Sequence, residues 1–146
     1  MLTRHVAETD YLPIIFVVND WWGGRVMAPR LPRLFFEHFQ TTSFIVEQDG
    51  MRVAFLIGFI SQTNPEEAYI HFVGVHPEYR LHNLGRHLYE TFFSTVRELG
   101  CHTVRCITSP VNERSIAFHM HMGFSVCREI DYQGPGQDYM LFAKTI

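Results

Sequence analysis

Cysteine is scarce in this sequence. Cys101, Cys106 and Cys127 are the only three among 146 residues, and no two of them form a CxxC pair. An odd set without paired spacing excludes a disulfide framework and points to reduced, mostly buried thiols of a cytosolic protein. A basic excess is missing too. The 12 Lys and Arg stand against 15 Asp and Glu, a formal net charge of -3, so the chain carries no footprint for nucleic acid. The longest apolar run, Ile14 to Val18, is far too short to cross a bilayer. Met1 to Asp10 holds no basic segment followed by an apolar stretch, so no signal peptide is expected. Repeats, linkers and low-complexity segments are also absent. The expectation is one cytoplasmic domain over residues 1–146, with neither a membrane nor a nucleic acid as partner.

Nine histidines invite a metal site, but their spacing favours scattered residues over ligands. There is no HExxH and no Cys/His cluster at zinc spacing. His119 and His121 lie two apart in a predicted helix, where side chains do not face each other. His82 and His87, five apart, align poorly as well. What remains is a globular balance, 47% hydrophobic and 18% charged, in a chain long enough to bury a sizeable core.

Apolar spacing orders the chain. A strand is predicted over Leu2 to Val6. Asp10 then caps a helix over Tyr11 to Trp22, with Pro13 in its first turn and Gly23-Gly24 ending it. A second helix spans about Pro32 to Gln40. Phe44 and Val46, the Asp49-Gly50 turn, and Val53, Phe55, Ile57 and Phe59 read as a hairpin with one apolar face. Tyr69 to Val75 is almost wholly apolar, hence a central strand. The strongest helix follows, with Leu84, His87, Leu88, Thr91, Phe92, Thr95, Val96 and Leu99 as its apolar-spaced stripe and Gly100 as its C-cap. Then come a strand Thr103 to Thr108, a helix Asn112 to Met122 closed by Gly123, and strands Phe124 to Ile130 and Asp138 to Lys144. The order is β-α-α-β-β-β-α-β-α-β-β, an α/β (α+β) domain. It predicts a mixed sheet of about seven strands with helices on both faces, and parallel neighbours for each strand-helix-strand unit after Tyr69.

The stretch Val73-Gly-Val-His-Pro-Glu-Tyr-Arg-Leu-His-Asn-Leu-Gly85 carries the chemistry. A strand, a tight turn and a helix N-terminus present unpaired amides to an anion. Gly85 lets a ligand approach the backbone, Asn83 tolerates the left-handed conformation, and Arg80 and Arg86 flank the site as a phosphate clamp. This segment resembles motif A of the GNAT N-acetyltransferase superfamily, V-x-P-x-x-R-x-x-G-x-G/A, through Val75, Pro77, Arg80 and Gly85, with Asn83 in place of the first glycine. A later segment, Asn112 to Phe124, resembles the family's N-x-x-A/S-x-x-x-Y/H-x-x-x-G-F through Asn112, Ser115, His119, Gly123 and Phe124. Together the two motifs and the elements around them span about the whole chain.

The resemblance implies a GNAT fold and an acetyl-CoA-dependent N-acetyltransferase, an acyltransferase working by direct attack of an amine in a ternary complex, with no metal. It implies that Tyr69–Val75 and Thr103–Thr108 splay apart around pantetheine, with Val73, Gly74 and Val75 pairing to it like an added strand. Arg80, Leu81, His82, Asn83, Leu84, Gly85 and Arg86 would cradle the pyrophosphate, and Asn112 would touch the cofactor or serve only as a helix cap. His119, at a position usually held by tyrosine, would protonate the leaving thiolate, or else pack as a core histidine beside Ile116 and Met120. Period-2 alternation puts Tyr69, His71, Val73 and Val75 on one face, which makes His71 either the general base or a partner to a neighbouring strand. No glutamate occupies that strand.

Trp21 and Trp22 would wall the acceptor pocket or anchor their helix, with Tyr69 beside them. Asp20 suits a cationic acceptor and Arg25 or Arg30 an anionic one. The acceptor is a small-molecule or protein amine. A non-catalytic acyl-CoA-binding module and a transferase of longer acyl chains are the alternatives, and family relatives are often homodimers.

Overall fold

A computed structural model describes residues 1–146. Seven strands, β1 (Leu2–His5), β2 (Phe44–Gln48), β3 (Met51–Ile60), β4 (Glu67–Val75), β5 (Thr103–Thr108), β6 (Ser125–Glu129) and β7 (Tyr139–Thr145), build one sheet in the order β1-β2-β3-β4-β5-β7-β6. Only β4 and β5 pair in parallel; every other neighbour is antiparallel. The mixed seven-stranded α/β architecture therefore stands, with one correction. β6 does not lie beside β5, because the chain turns back over residues 130–138 and β7 inserts between them.

Helices cover both faces. Helices α4 (Leu84–Glu98) and α5 (Glu113–His121) close a core over one face, with Leu88, Phe92 and Val96 fully buried. Each such side chain stabilises the fold by about 1.5–3 kcal/mol. On the other face α1 (Tyr11–Ile15), α2 (Val18–Trp21) and α3 (Leu34–His38) pack Ile14, Val18 and Phe36 against Phe55 and Ile57. Strand β3 is consequently buried continuously from Val53 to Gly58 rather than on alternate residues. On α4 the buried stripe is Leu84, Leu88, Tyr89, Phe92, Phe93 and Val96. His87 and Leu99 of the predicted stripe are exposed, which rotates the buried face toward Tyr89 and Phe93.

The first predicted helix is two. It breaks at Phe16-Val17 between α1 and α2, where paired β-branched residues, Ile14-Ile15 and Val17-Val18, are poor helix formers. The second contracts to Leu34–His38. Asp10 is no cap either. Its fully buried carboxylate accepts two hydrogen bonds from Arg4, both 2.8 Å, one from Arg52 Nε at 2.7 Å and one from the Ala7 N–H at 2.7 Å. Burial pushes this carboxyl up, but the hydrogen bonds from Arg4, Ala7 and Arg52 outweigh it and hold the group at about 2. Asp10 thus ties β1 to β3 instead of starting a helix.

Candidate active site

Strands β4 and β5 pair only from Glu67↔Thr103 to Tyr69↔Arg105 and then part. A cavity of about 490 Å³ opens where they diverge. On the other flank of β4, His76 N–H donates to Val53 O at 2.8 Å. Counting back by twos along an antiparallel pair, the N–H and C=O groups of Val73 and Val75 turn away from β3 toward the gap. An exposed row of unpaired main-chain groups is a template for an extended ligand with amides of its own.

The gap coincides with a bulge. Ile57 faces Phe72 while Gly58 faces Ile70, which leaves His71 as an extra residue on β4. The predicted common face of Tyr69, His71, Val73 and Val75 is broken there. His71 stacks on Phe35 of α3 at 4.3 Å, and Tyr69 stacks on Phe59 at 5.3 Å. Beyond the bulge the parity flips, and Val73 and Val75 pack on the α4 side. Gly74 faces the other way, under Trp22 and Phe55, where a Cβ would lie 2.4 Å from the Phe55 ring.

A second cavity, about 720 Å³, adjoins the first. Trp22, Arg25, Val73 and Asn112 line both, so the two form one channel along β4. The second runs past the turn into α4, where Asn83 adopts φ 56, ψ 28, the left-handed conformation usual for glycine. The first helical hydrogen bond runs from His87 N–H to Asn83 O, which leaves the first-turn amides of Leu84, Gly85 and Arg86 pointing outward. The His82 N–H is not among the open groups, since it closes the turn onto Tyr79 O. Leu81 is 96% exposed. Arg80 bonds the Trp21 carbonyl and Arg86 pairs with Glu90 at 3.4 Å, yet both line the channel with Gly85 and Arg114. Asn112 caps α5 by accepting from Ser115 N–H at 3.2 Å and donates to Thr108 at 3.3 Å. Trp21 is buried against Phe55 and His76, whereas Trp22 rests on Phe72 beside the channel.

His119 is buried and stacks on Phe142 at 4.2 Å. Its Nδ1 lies 2.7 Å from Ser115 O and its Nε2 lies 2.7 Å from the Tyr89 hydroxyl. A carbonyl can only accept, so the ring hydrogen belongs on Nδ1 and Nε2 accepts from Tyr89. Burial lowers the His119 pKa and keeps the ring neutral. Burial also raises Tyr89 far above its usual range, beside the likewise buried and protonated Cys106 thiol. Tyr89, Cys106 and His119 all line the first cavity. Sequence reasoning missed Tyr89, because the residue lies outside the predicted stripe of α4 and only the rotated buried face brings it inward. His71 follows the same logic with the nitrogens exchanged. Nε2 meets Arg30 O at 2.6 Å, burial holds the ring neutral, and Nδ1 keeps its lone pair. Tyr69, raised to about 12 by burial, stays protonated at the same cavity.

No three His, Cys, Asp or Glu side chains converge as a metal site requires, and no helix is long and apolar enough to cross a membrane.

The model of the acetyltransferase (GNAT) family matches residues 14–124. Comparison with curated proteins gives no match. Among solved structures, ribosomal-protein-alanine N-acetyltransferase from Brucella melitensis aligns at 19% identity over 100% of both chains, with a TM-score of 0.79. Diaminobutyrate acetyltransferase EctA from Paenibacillus lautus, in complex with L-2,4-diaminobutyric acid and coenzyme A, covers 97% of this chain and 92% of its own at 19% identity and TM-score 0.77. The protein yncA from Salmonella typhimurium, solved with its cofactor acetyl-CoA, covers 99% and 93% at 20% identity and TM-score 0.76. At these identities the likeness is one of fold.

Proposed function

The chain belongs to the acetyltransferase (GNAT) family, and from that premise we propose that it transfers an acetyl group from acetyl-CoA to an amine by direct attack within a ternary complex. The observation that carries this reading is the continuous channel. It leads from the open amides of α4, along the free edge of Val73 and Val75, to the cavity lined by Tyr89 and His119. The open amides and Arg86 suit a pyrophosphate, and the strand edge suits the two amides of pantetheine. Same-fold proteins solved with acetyl-CoA or coenzyme A agree with that fit.

The reaction moves one proton from the amine nitrogen to sulfur. His71, neutral and with Nδ1 free, is the group suited to take it from nitrogen. Main-chain N–H groups of β4 polarise the thioester oxygen. The sulfur leaves toward the Tyr89 hydroxyl, which burial keeps protonated and which donates to sulfur by turning its one hydrogen from His119 Nε2. His119 cannot donate directly while Nδ1 is tied to Ser115 and Nε2 carries a lone pair, so it acts through Tyr89 as a positioning residue. The sulfur is finally protonated through solvent by the proton His71 received.

Calorimetric titration of the folded protein with acetyl-CoA, with ATP as control, tests the donor. Thiol release across an amine panel tests the transfer. Micromolar binding that is weaker for ATP, followed by thiol release, is the expected result. Absence of acetyl-CoA binding would overturn the reading at its first step.

A further inference from the structure

Resting on that reading of the channel, we infer that the acceptor is a small amine carrying a carboxylate or a comparable anionic group, not a polycation. The acceptor end of the first cavity is bounded by Arg25, Arg30, Tyr69 and His71, and no Asp or Glu lines any part of that cavity. Asp20, the carboxylate on the helix leading into this region, lies outside both cavities. Neither Arg25 nor Arg30 is paired: the salt bridges of the molecule use Arg4, Arg33, Arg52, Arg86, Arg105 and Arg128. Two exposed guanidiniums beside the cavity, with no carboxylate to balance them, attract an anion and repel a second ammonium.

The segment bearing them is held in place. Asn19 Oδ1 accepts from the N–H groups of Met27 and Ala28 at 2.8 and 3.0 Å, and His71 Nε2 donates to Arg30 O. Arg30 is thereby tied to the bulge that carries the candidate base, so the anionic end and the reacting nitrogen of one small molecule are read side by side. The same field assists the chemistry. An ammonium near two arginines loses its proton more readily, and only the neutral amine attacks. Arg25 also borders the donor channel, whereas Arg30 borders the acceptor cavity alone, so Arg30 is the discriminating residue. Met27 and Phe72 add apolar walls that suit an aliphatic or thioether side chain.

The test compares the standard L-amino acids with their amides and with 1,4-diaminobutane, by thiol release from acetyl-CoA and by calorimetry on the CoA-saturated protein. One or more free acids should exceed the matching amide in kcat/KM by about 10- to 100-fold, the worth of a charge-assisted pair. Arg30→Gln should collapse that ratio toward one, and Arg30→Glu should turn the preference toward 1,4-diaminobutane. Amides or the diamine reacting as well as the acids would overturn the acceptor class while leaving acetyl transfer standing. If no amine is acetylated and none binds the CoA-saturated protein, the transfer reading itself falls, and the acceptor class with it.

Discussion

Two buried polar clusters divide this molecule. Around Asp10 the cluster is ionised: a carboxylate with no exposure meets Arg4 and Arg52, and Arg4 extends to Glu47 at 2.9 Å. Around His119 it is neutral: imidazole, phenol and thiol meet inside the first cavity. Both are fully hydrogen-bonded, and no buried side-chain polar atom lacks a partner. Charge in the first cluster fixes the sheet, and none of its residues lines the channel. Neutrality in the second leaves protons where a reaction can use them. Burial alone cannot tell structural from chemical polar groups; the protonation that the surroundings impose can.

The largest expected effect breaks the ionised cluster. Asp10→Ala leaves Arg52 without its ion pair and Arg4 with Glu47 alone, and should cost about 3–5 kcal/mol in denaturant unfolding. Acetyl-CoA affinity of the folded fraction should not follow. A loss of affinity matching the loss of stability would mean the two clusters are coupled. In the neutral cluster, Tyr89→Phe should lower kcat about a hundredfold with acetyl-CoA affinity nearly unchanged. Unaltered kcat would remove Tyr89 from the mechanism. His119→Gln, whose amide oxygen can still accept from Tyr89, should retain more turnover than His119→Ala, and equal losses would deny the positioning role.

Acid separates the clusters in sequence. His119 and His71 are held neutral in the fold below the ordinary 6.5. The unfolded chain therefore binds more protons as pH falls through 6.5, and stability declines from there downward. Asp10 is lowered from 3.8 to about 2. Its contribution, about 2 kcal/mol, is present above 3.8 and is lost as pH falls toward 2. Stability measured against pH should thus fall in two steps. His119→Gln should shrink the upper step and leave the lower one in place.

The fold and the neutral cluster were legible to different depths. The turn at Pro77 to Gly85 and the cap at Asn112 are local, set by backbone and dipole preferences within a few residues, and the sequence carried them. The bulge at His71 was not legible, because it exists only relative to β3, and a two-residue period cannot announce where it slips. Asp10 looked like a helix cap because Arg4 and Arg52 reach it from other strands. Tyr89 lay outside the expected stripe of α4, and Arg30 was named only as the anionic option against Asp20, which the cavity lining leaves out. Long-range partners, not propensities, decided each of these.

The smallest effect tests the proton assignment on which the comparison depends. Ser115 offers His119 Nδ1 two groups, its carbonyl oxygen at 2.7 Å and its hydroxyl at 3.3 Å. If the hydrogen sits on Nδ1, the carbonyl is the partner, and Ser115→Ala should change stability by less than about 0.5 kcal/mol and leave kcat almost untouched. If Nδ1 is instead the acceptor, it depends on the Ser115 hydroxyl, and Nε2 then donates to Tyr89. Removing that hydroxyl would leave a buried lone pair facing a carbonyl and cost about 1–3 kcal/mol. The serine variant therefore decides whether Tyr89 gives its hydrogen to His119 or receives one. In the first arrangement the phenol must turn its hydrogen away from His119 to meet the leaving sulfur, whereas in the second that hydrogen is already free to donate.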